Sequence, residues 1–270
     1  MAESTHDLGP GPGETLDRLA GDWKILQLRR GHRFSADDLL TAWEGAHSAP
    51  HAEALCDLGA GIGSVGLLAL WRLGQFGVRA HLTMVEVQER SHQLAARTVA
   101  LNGLSERVSA HRADLRDAPS MLAPGDGFDL VTGSPPYLPA GEGVISEHPQ
   151  KAAARFELHG DVFDYCRTAA ALLRPDGRFV FCHASRDARP EAAIAAAGLQ
   201  LVSRREVFFR ATQDPLIALF CCAFPTEGLA RRDPPALTIR DAAGLWTDEY
   251  LAMRADMGTG VWNRAEPSPR

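Results

Sequence analysis

Lysine is almost missing from this chain of 270 residues: Lys24 and Lys151 are the only two, so its 28 basic side chains are nearly all arginine. That bias is compatible with genomic composition and is not read as function. Basic charge is also in deficit, with 34 Asp and Glu and a formal net charge of -6. Phosphate-binding surfaces are normally basic, so this balance argues mildly against a nucleic-acid partner unless arginines cluster locally. The densest basic segment is Gln27-Leu28-Arg29-Arg30-Gly31-His32-Arg33, which reads equally as a solvated face or a substrate-facing one. No apolar run approaches the ~20 residues that cross a bilayer. The five cysteines (Cys56, Cys166, Cys182, Cys221, Cys222) lack metal-ligand spacing, and the histidines are scattered. No metal is therefore expected. Cys56, Cys182 and the Cys221-Cys222 pair sit in apolar, strand-like runs where buried thiols are the default. A reducing, cytoplasmic setting is expected. The first 15 residues are polar and rich in Gly and Pro, without the basic and apolar regions of a signal peptide. Residues 1–20 are read as a disordered leader.

What is present is a hydrophobic fraction of 45%, enough for a sizeable core, and one glycine-rich segment. The run Ala54-Leu55-Cys56 leads into Asp57-Leu58-Gly59-Ala60-Gly61-Ile62-Gly63-Ser64-Val65-Gly66, and a second apolar run follows. The pattern is strand, glycine turn, helix. Glycine lets the backbone turn sharply and approach a ligand, and the helix N-terminus presents free N–H groups. Read literally, Gly61 to Gly66 fits the dinucleotide fingerprint, with Glu86 suitably downstream to hold a ribose hydroxyl.

Three features favour S-adenosyl-L-methionine instead. Asp57 closes the strand where a carboxylate can bind the ammonium of the methionine moiety. Asp114 follows a third strand, where it can reach the adenine amino group. Gly133-Ser134-Pro135-Pro136-Tyr137 follows a fourth strand, where a dehydrogenase has no evident use for it. Asp57, Gly59, Gly61, Gly63, Glu86 and Asp114 are thus the candidate cofactor residues; capping of a neighbouring helix or turn is the plainer role open to each acid.

Strands alternate with helices along the rest of the chain, which predicts a parallel sheet with helices on both faces. Strands are expected over 25–28, 53–58, 81–86, 108–111, 129–132, 178–183, 201–209 and 216–223. Helices are expected from a Ser35 N-cap and over 64–73, 88–101, 161–173 and 189–197. The last two strands have no helix between them and read as an antiparallel hairpin. The fold class is therefore α/β: a Rossmann-like seven-stranded class I methyltransferase sheet, parallel with a terminal antiparallel strand. Residues 21–225 form that domain with an N-terminal extension. Residues 226–270 form a tail with a short helix capped by Thr247. Residues 140–151 read as a mobile active-site loop.

In such sheets ligands lie beyond the carboxyl ends of the strands, which puts Ser-Pro-Pro-Tyr beside the transferable methyl. A planar amine is a poor nucleophile because its lone pair is delocalised. Acceptors that hold its N–H groups orient it and favour the charge that develops as the nitrogen becomes tetrahedral. The Ser134 hydroxyl and the Pro135 carbonyl are candidates, and Tyr137 can stack on the planar acceptor. No general base is assigned, since the proton can leave after transfer.

These motifs resemble those of the bacterial tRNA adenine-N6 methyltransferases that modify the anticodon loop of a valine tRNA. The resemblance runs from about Lys24 to Arg254. It includes Gly31-His32-Arg33-Phe34-Ser35, Asp37-Asp38-Leu39-Leu40, the glycine loop, Glu86, Asp114, Pro-Pro-Tyr, Ala154-Arg155-Phe156-Glu157 and Leu237-Thr238-Ile239-Arg240-Asp241. It implies adenine N6 in tRNA as acceptor, with Ser134, Pro135 and Tyr137 catalytic and Pro136, Arg33, Phe34 and Arg155 on the substrate side. The family usually reads Asn-Pro-Pro-Tyr, whereas this chain has Ser134. Alternatives are a small-molecule amine, a protein glutamine, or a non-catalytic cofactor-binding module.

Overall fold

A computed structural model of the protein describes residues 8–122, 125, 127–139, 141 and 148–260. A hairpin, β1 (Glu14–Ala20) and β2 (Trp23–Leu28), precedes α1 (Ala36–Ser48). Then come β3 (Ala54–Leu58), α2 (Ser64–Gln75), β4 (His81–Glu86), α3 (Glu89–Leu101), β5 (Val108–Arg112), α4 (Ala118–Leu122) and β6 (Phe128–Gly133). The chain continues through α5 (Pro149–Arg155), α6 (Val162–Leu172), β7 (Leu173–Ala184), α7 (Arg189–Ala196), β8 (Gln200–Phe208), β9 (Ile217–Ala223), β10 (Leu237–Thr238) and α8 (Asp248–Asp256).

The main sheet has the order β10-β8-β9-β7-β6-β3-β4-β5. Strand β9 is antiparallel to both its neighbours, and the other pairings are parallel. Seven of these strands are the expected ones; the eighth, β10, is a two-residue strand from the tail. The strand order reverses between β3 and β6, which opens a crevice beyond their C-terminal ends.

Burial on both faces explains why the strands read as continuous apolar runs. Successive side chains still point to opposite sides. Along β9, Ile217, Leu219 and Cys221 join the core under α1, α2 and α3, whereas Ala218, Phe220 and Cys222 join the one under α6 and α7. On that second face Phe181 stacks between Phe179 and Phe220, with ring centroids 4.8 and 4.9 Å apart. All five cysteines are buried and unpaired. Among the described residues, no helix is long and apolar enough to cross a membrane.

Two expectations need correction. Residues 14–20, read as part of a disordered leader, form β1, paired with β2 from Glu14↔Leu28 to Arg18↔Lys24 and, after a shift of register, at Ala20↔Trp23. Polar residues and glycines masked a strand whose alternate side chains meet α2 and α3. The expected loop at 140–151 ends inside α5, because Pro149 sits in its first turn, where a missing N–H costs nothing. Residues 140 and 142–147 of that loop, and residues 1–7 of the leader, lie outside the described residues.

The tail folds back onto the domain. Thr247 caps α8 by accepting from the Tyr250 N–H, and Asp256 at its end accepts from the Trp43 indole (2.9 Å) and pairs with Arg72 (2.5 Å). The hairpin meets the tail directly: the Gly21 N–H donates to the Gly258 carbonyl at 2.9 Å. The Trp71 ring covers both residues, and a Cβ would lie 2.8 Å from it at Gly21 and 2.4 Å at Gly258.

The hairpin is held to α3 by the Leu26 N–H, which donates to the Thr98 hydroxyl at 3.1 Å, and by one buried carboxylate. Glu14, 4% exposed, accepts from Arg90 (2.6 Å), Arg97 (2.9 Å) and the Gly11 N–H (2.7 Å). Burial opposes its charge, but the hydrogen bonds from Arg97 and Gly11 and the charges of both arginines outweigh burial and hold the carboxyl below its ordinary range. Its stabilisation is therefore complete above the ordinary glutamate pKa of roughly 4.3 and is lost as pH falls through the lower native value. Glu14→Gln is expected to cost about 1–3 kcal/mol at pH 7. The deficit should shrink as pH falls through that window, read by urea unfolding at a series of pH values; a pH-independent deficit would contradict the assignment.

Candidate active site

The crevice at the switch point is a cavity of about 450 Å³. Its floor is the turn between β3 and α2. Gly59, Gly61 and Gly63 have φ of 60°, 57° and 87°, a region that L side chains rarely adopt. Their reasons differ. A Cβ on Gly59 would sit 2.0 Å from the Tyr165 hydroxyl, whereas nothing lies within 4 Å of a Cβ on Gly61. Gly59 and Gly61 line the cavity; Gly63 sits behind it as the N-cap of α2.

Asp57, next to the last residue of β3, is 1% exposed. One oxygen accepts from the Thr132 hydroxyl of β6 at 2.8 Å, the other from the Gly66 N–H in the first turn of α2 at 2.9 Å. Burial pushes its pKa up to about 6; the two hydrogen bonds oppose that rise and the Glu86 charge adds to it. Glu86, at the end of β4, accepts from the Gly61 N–H (2.8 Å) and the Gln88 N–H (2.6 Å). Burial raises its pKa also.

Two more acids face this space from the start of α1. Asp38 is 6% exposed and accepts from the Ser35 N–H (3.0 Å) and the Ser64 hydroxyl (3.2 Å). Burial, aided by the Asp37 charge, pushes its pKa well up. Asp37 lies 3.5 Å from the Tyr137 hydroxyl. Asp37, Asp38, Asp57 and Glu86 thus line one largely apolar cavity, an arrangement that favours a cation.

The opposite wall is Ser134 to Leu138, just past β6. The prolines end the strand because they have no N–H for the ladder. Tyr137 is fixed from below by β7: its ring meets that of buried His183 edge-on at 5.2 Å, and its hydroxyl is 3.1 Å from the Cys182 sulfur. The same thiol donates to the Ser134 hydroxyl at 3.6 Å. Burial pushes the phenol pKa up and that of His183 down to about 4, so both are neutral at pH 7.

Of the residues singled out from sequence, Asp57, Gly59, Gly61, Glu86, Ser134, Pro135, Pro136, Tyr137 and Arg155 line the cavity. Asp114 does not, although Ala113 and Leu115 do. Its carboxylate accepts from the Arg116 N–H (3.0 Å) and Nε (2.8 Å), capping a short 3-10 turn. Arg33 is turned to the hairpin, paired with Asp17 at 2.9 Å and bonded to the Thr15 hydroxyl at 2.8 Å. Phe34 donates its N–H to Gln27 (2.8 Å) and packs against the core.

Sequence reading gave no role in the site to His32, Asp37, Asp38, Ser64, Gln150, His159 or Tyr165, which line the wall. Asp37-Asp38 carried a signal, since two acids in one helix turn exceed what capping needs. Gln150 carried none: it bridges the His32 N–H (2.9 Å) and the Ser91 hydroxyl (3.1 Å) across long sequence separations. Among the described residues, no group of three or more His, Cys, Asp or Glu side chains is arranged to hold a metal ion.

No family model matches the chain. It is 26% identical over 220 residues to a tRNA1(Val) (adenine(37)-N6)-methyltransferase of Shewanella amazonensis, covering 81% of this chain and 88% of that protein. It is 33% identical over 137 residues to a ribosomal protein uL3 glutamine methyltransferase of Bradyrhizobium diazoefficiens, covering 47% of this chain and 40% of that protein. The chain therefore spans less than half of the glutamine enzyme's length. Among solved structures, a predicted O-methyltransferase of Agrobacterium tumefaciens superposes with a TM-score of 0.61 at 21% identity, covering 82% of this chain and 97% of that one. The fold is that of class I methyltransferases.

The two glycines separate strain from clash. Gly61→Ala carries the positive-φ penalty alone, about 1–2 kcal/mol. Gly59→Ala adds overpacking against Tyr165, about a further 1–3 kcal/mol. Thermal unfolding should rank them in that order. If Gly59→Ala and Gly61→Ala melt together, the Tyr165 contact does not constrain the turn.

Proposed function

We propose that this protein transfers a methyl group from S-adenosyl-L-methionine to an exocyclic amino nitrogen, with adenine N6 in a tRNA as the foremost acceptor. The observation that carries this reading is the continuity of one cavity from the carboxylate floor to the Ser-Pro-Pro-Tyr wall. Its volume of about 450 Å³ suits a small-molecule ligand.

The residues fit the cofactor. The glycine turn leaves open space at Gly61 where a side chain would stand. Asp57 is a buried acid whose raised pKa marks a charge in want of a cation, which the methionine ammonium supplies. Glu86 faces the cavity at the end of β4, where a ribose is expected, while its oxygens hold the turn in shape. When bound, this cofactor supplies an electrophilic methyl on a sulfonium.

The remaining work falls to the chain. Ser134 Oγ and the Pro135 carbonyl accept the amine's N–H groups and aim its lone pair at the methyl. Tyr137 offers a neutral ring face for the base, a contact worth roughly 1–3 kcal/mol. Alignment of the two reactants can lower the barrier by roughly 7–11 kcal/mol, so no general base is required. The proton leaves after transfer.

An RNA acceptor is supported by arginines beside the cavity rather than by the overall charge. Arg29, Arg30, Lys151 and Arg155 are exposed, and Gln150 joins their two segments at the cavity wall. The relative from Shewanella amazonensis is named for a tRNA adenine and aligns over most of both chains. The second reading, a glutamine side chain in a protein, draws on the Bradyrhizobium diazoefficiens relative, whose match is confined to about half of this chain.

The test is incubation with labelled S-adenosyl-L-methionine and total RNA lacking the modification, followed by digestion to nucleosides. Labelled N6-methyladenosine is expected. No labelled nucleoside, with cofactor binding intact, would transfer the assignment to a protein glutamine or a small-molecule amine. A second expectation concerns pH. Because burial raises Asp57, it is protonated below about pH 6 and must ionise to hold the ammonium. Cofactor affinity should therefore rise with pH through about 6 and then level, with proton release near pH 6 in calorimetry. Asp57→Asn should abolish that pH dependence and weaken binding; unchanged affinity would remove the carboxylate from the site.

A further inference from the structure

The Ser-Pro-Pro-Tyr loop carries its own restraint, outside the cavity. Arg189, the first residue of α7, directs its guanidinium at three groups. Nη1 donates to Glu157 Oε1 at 2.7 Å. Nε and Nη2 hold both oxygens of Asp187, with Nη2 to Oδ2 at 2.6 Å and Nε to Oδ2 at 2.9 Å. Nη2 also donates to the main-chain carbonyl of Tyr137 at 3.3 Å.

Each partner leads back to the reacting wall. Tyr137 is two residues from the Pro135 carbonyl. Glu157 donates its N–H to the Leu138 carbonyl (3.0 Å), and Leu138 donates to the Arg155 carbonyl (3.1 Å), so a short parallel bridge joins the loop to the end of α5. Asp187 lies 3.6 Å from Nδ1 of His183, whose ring supports that of Tyr137. A planar fork with five donors can bind two carboxylates and a carbonyl at once; an ammonium cannot reproduce that geometry.

We propose that Arg189 is a positioning residue for methyl transfer, acting through Glu157, Asp187 and the Tyr137 carbonyl to fix the loop that holds the amine. The proposal rests on the methyl-transfer reading above. Without the guanidinium, Glu157 and Asp187 confront each other as like charges, and the bridge between 138 and 156 loses its outer support. A displacement of about 1 Å at the acceptor wall is enough to cost about 10²-fold in rate. The cofactor floor, built from β3, β4 and α2, contains none of these groups and should be unaffected.

The experiment compares Arg189→Ala and Arg189→Lys with the unmodified protein. Three quantities are read: cofactor Kd by calorimetry, kcat and KM for the RNA acceptor, and amide hydrogen exchange. Arg189→Ala should lower kcat by about 10²-fold with cofactor Kd unchanged. Arg189→Lys should fall between, and added guanidinium should restore part of the Arg189→Ala rate. Exchange should accelerate at the Leu138 and Glu157 amides while those of β3, β4 and α2 keep their protection. A general loss of protection with weakened cofactor binding would make Arg189 merely structural and overturn the proposal. So would unchanged exchange at Leu138 and Glu157, whether or not an acceptor is methylated. An unmodified protein that binds cofactor but methylates no RNA would instead sink the RNA reading and leave the exchange result to decide the clasp.

Discussion

The active-site end of the sheet is organised around a single buried carboxylate. Asp57 spends one oxygen on Thr132 of β6 and the other on the first turn of α2. These two bonds fix the spacing of the switch-point strands and the direction in which α2 leaves the sheet. Everything in the glycine turn follows: with β3 and α2 pinned, the chain must reverse within a few residues, and three glycines supply the φ values that this requires. Glu86 then locks the turn from the next strand through the Gly61 N–H. The cost is a charge kept out of water, visible in the upward push on the Asp57 pKa. A site that strains to keep its acids ionised is prepared for a cationic ligand before the ligand arrives.

The arrangement of charge resolves an apparent conflict. A chain with a net charge of -6 looks ill suited to a polyanion. Yet four acids are spent on the cavity wall, and others are paired with arginines within the fold, as Glu14 is with Arg90 and Arg97. Formal charge counts these internal acids equally with surface ones, whereas a partner meets only the surface. Fields beyond about one Debye length, roughly 8 Å at physiological salt, are screened, so the local rim outweighs the total.

Much of this was legible in the sequence because it is local. Strand, glycine turn and helix are contiguous, and so are the acid that closes β4 and the prolines that end β6. The seven-strand alternation follows from apolar periodicity for the same reason. What escaped depends on long-range contacts. The strand at 14–20 is polar enough to pass for a leader, and its place comes from pairing with β2 and from its carboxylate contact with α3, some eighty residues on. Arg33 belongs to a motif that looked substrate-facing, but Asp17 and Thr15 of the same hairpin claim it. Asp114 met the plainer of its two readings in this geometry, capping a turn with Arg116. Gln150 and Arg189 have no sequence signature at all, because their meaning lies in which segments they join.

The contact between Gly21 and Gly258 also bears on how the chain reaches this state. Gly21 and Gly258 lie far apart in sequence, so the stretch that seals the hairpin under Trp71 is made long after it. Loop closure over such a span is entropically costly, and non-local contacts of this kind slow folding. During synthesis, which proceeds at about 5–20 residues per second, the hairpin must wait for tens of seconds at the slower rates before its seal exists. Its apolar side chains have an earlier refuge on α2 and α3. Glu14 therefore ties the hairpin to α3 through contacts that do not depend on α8.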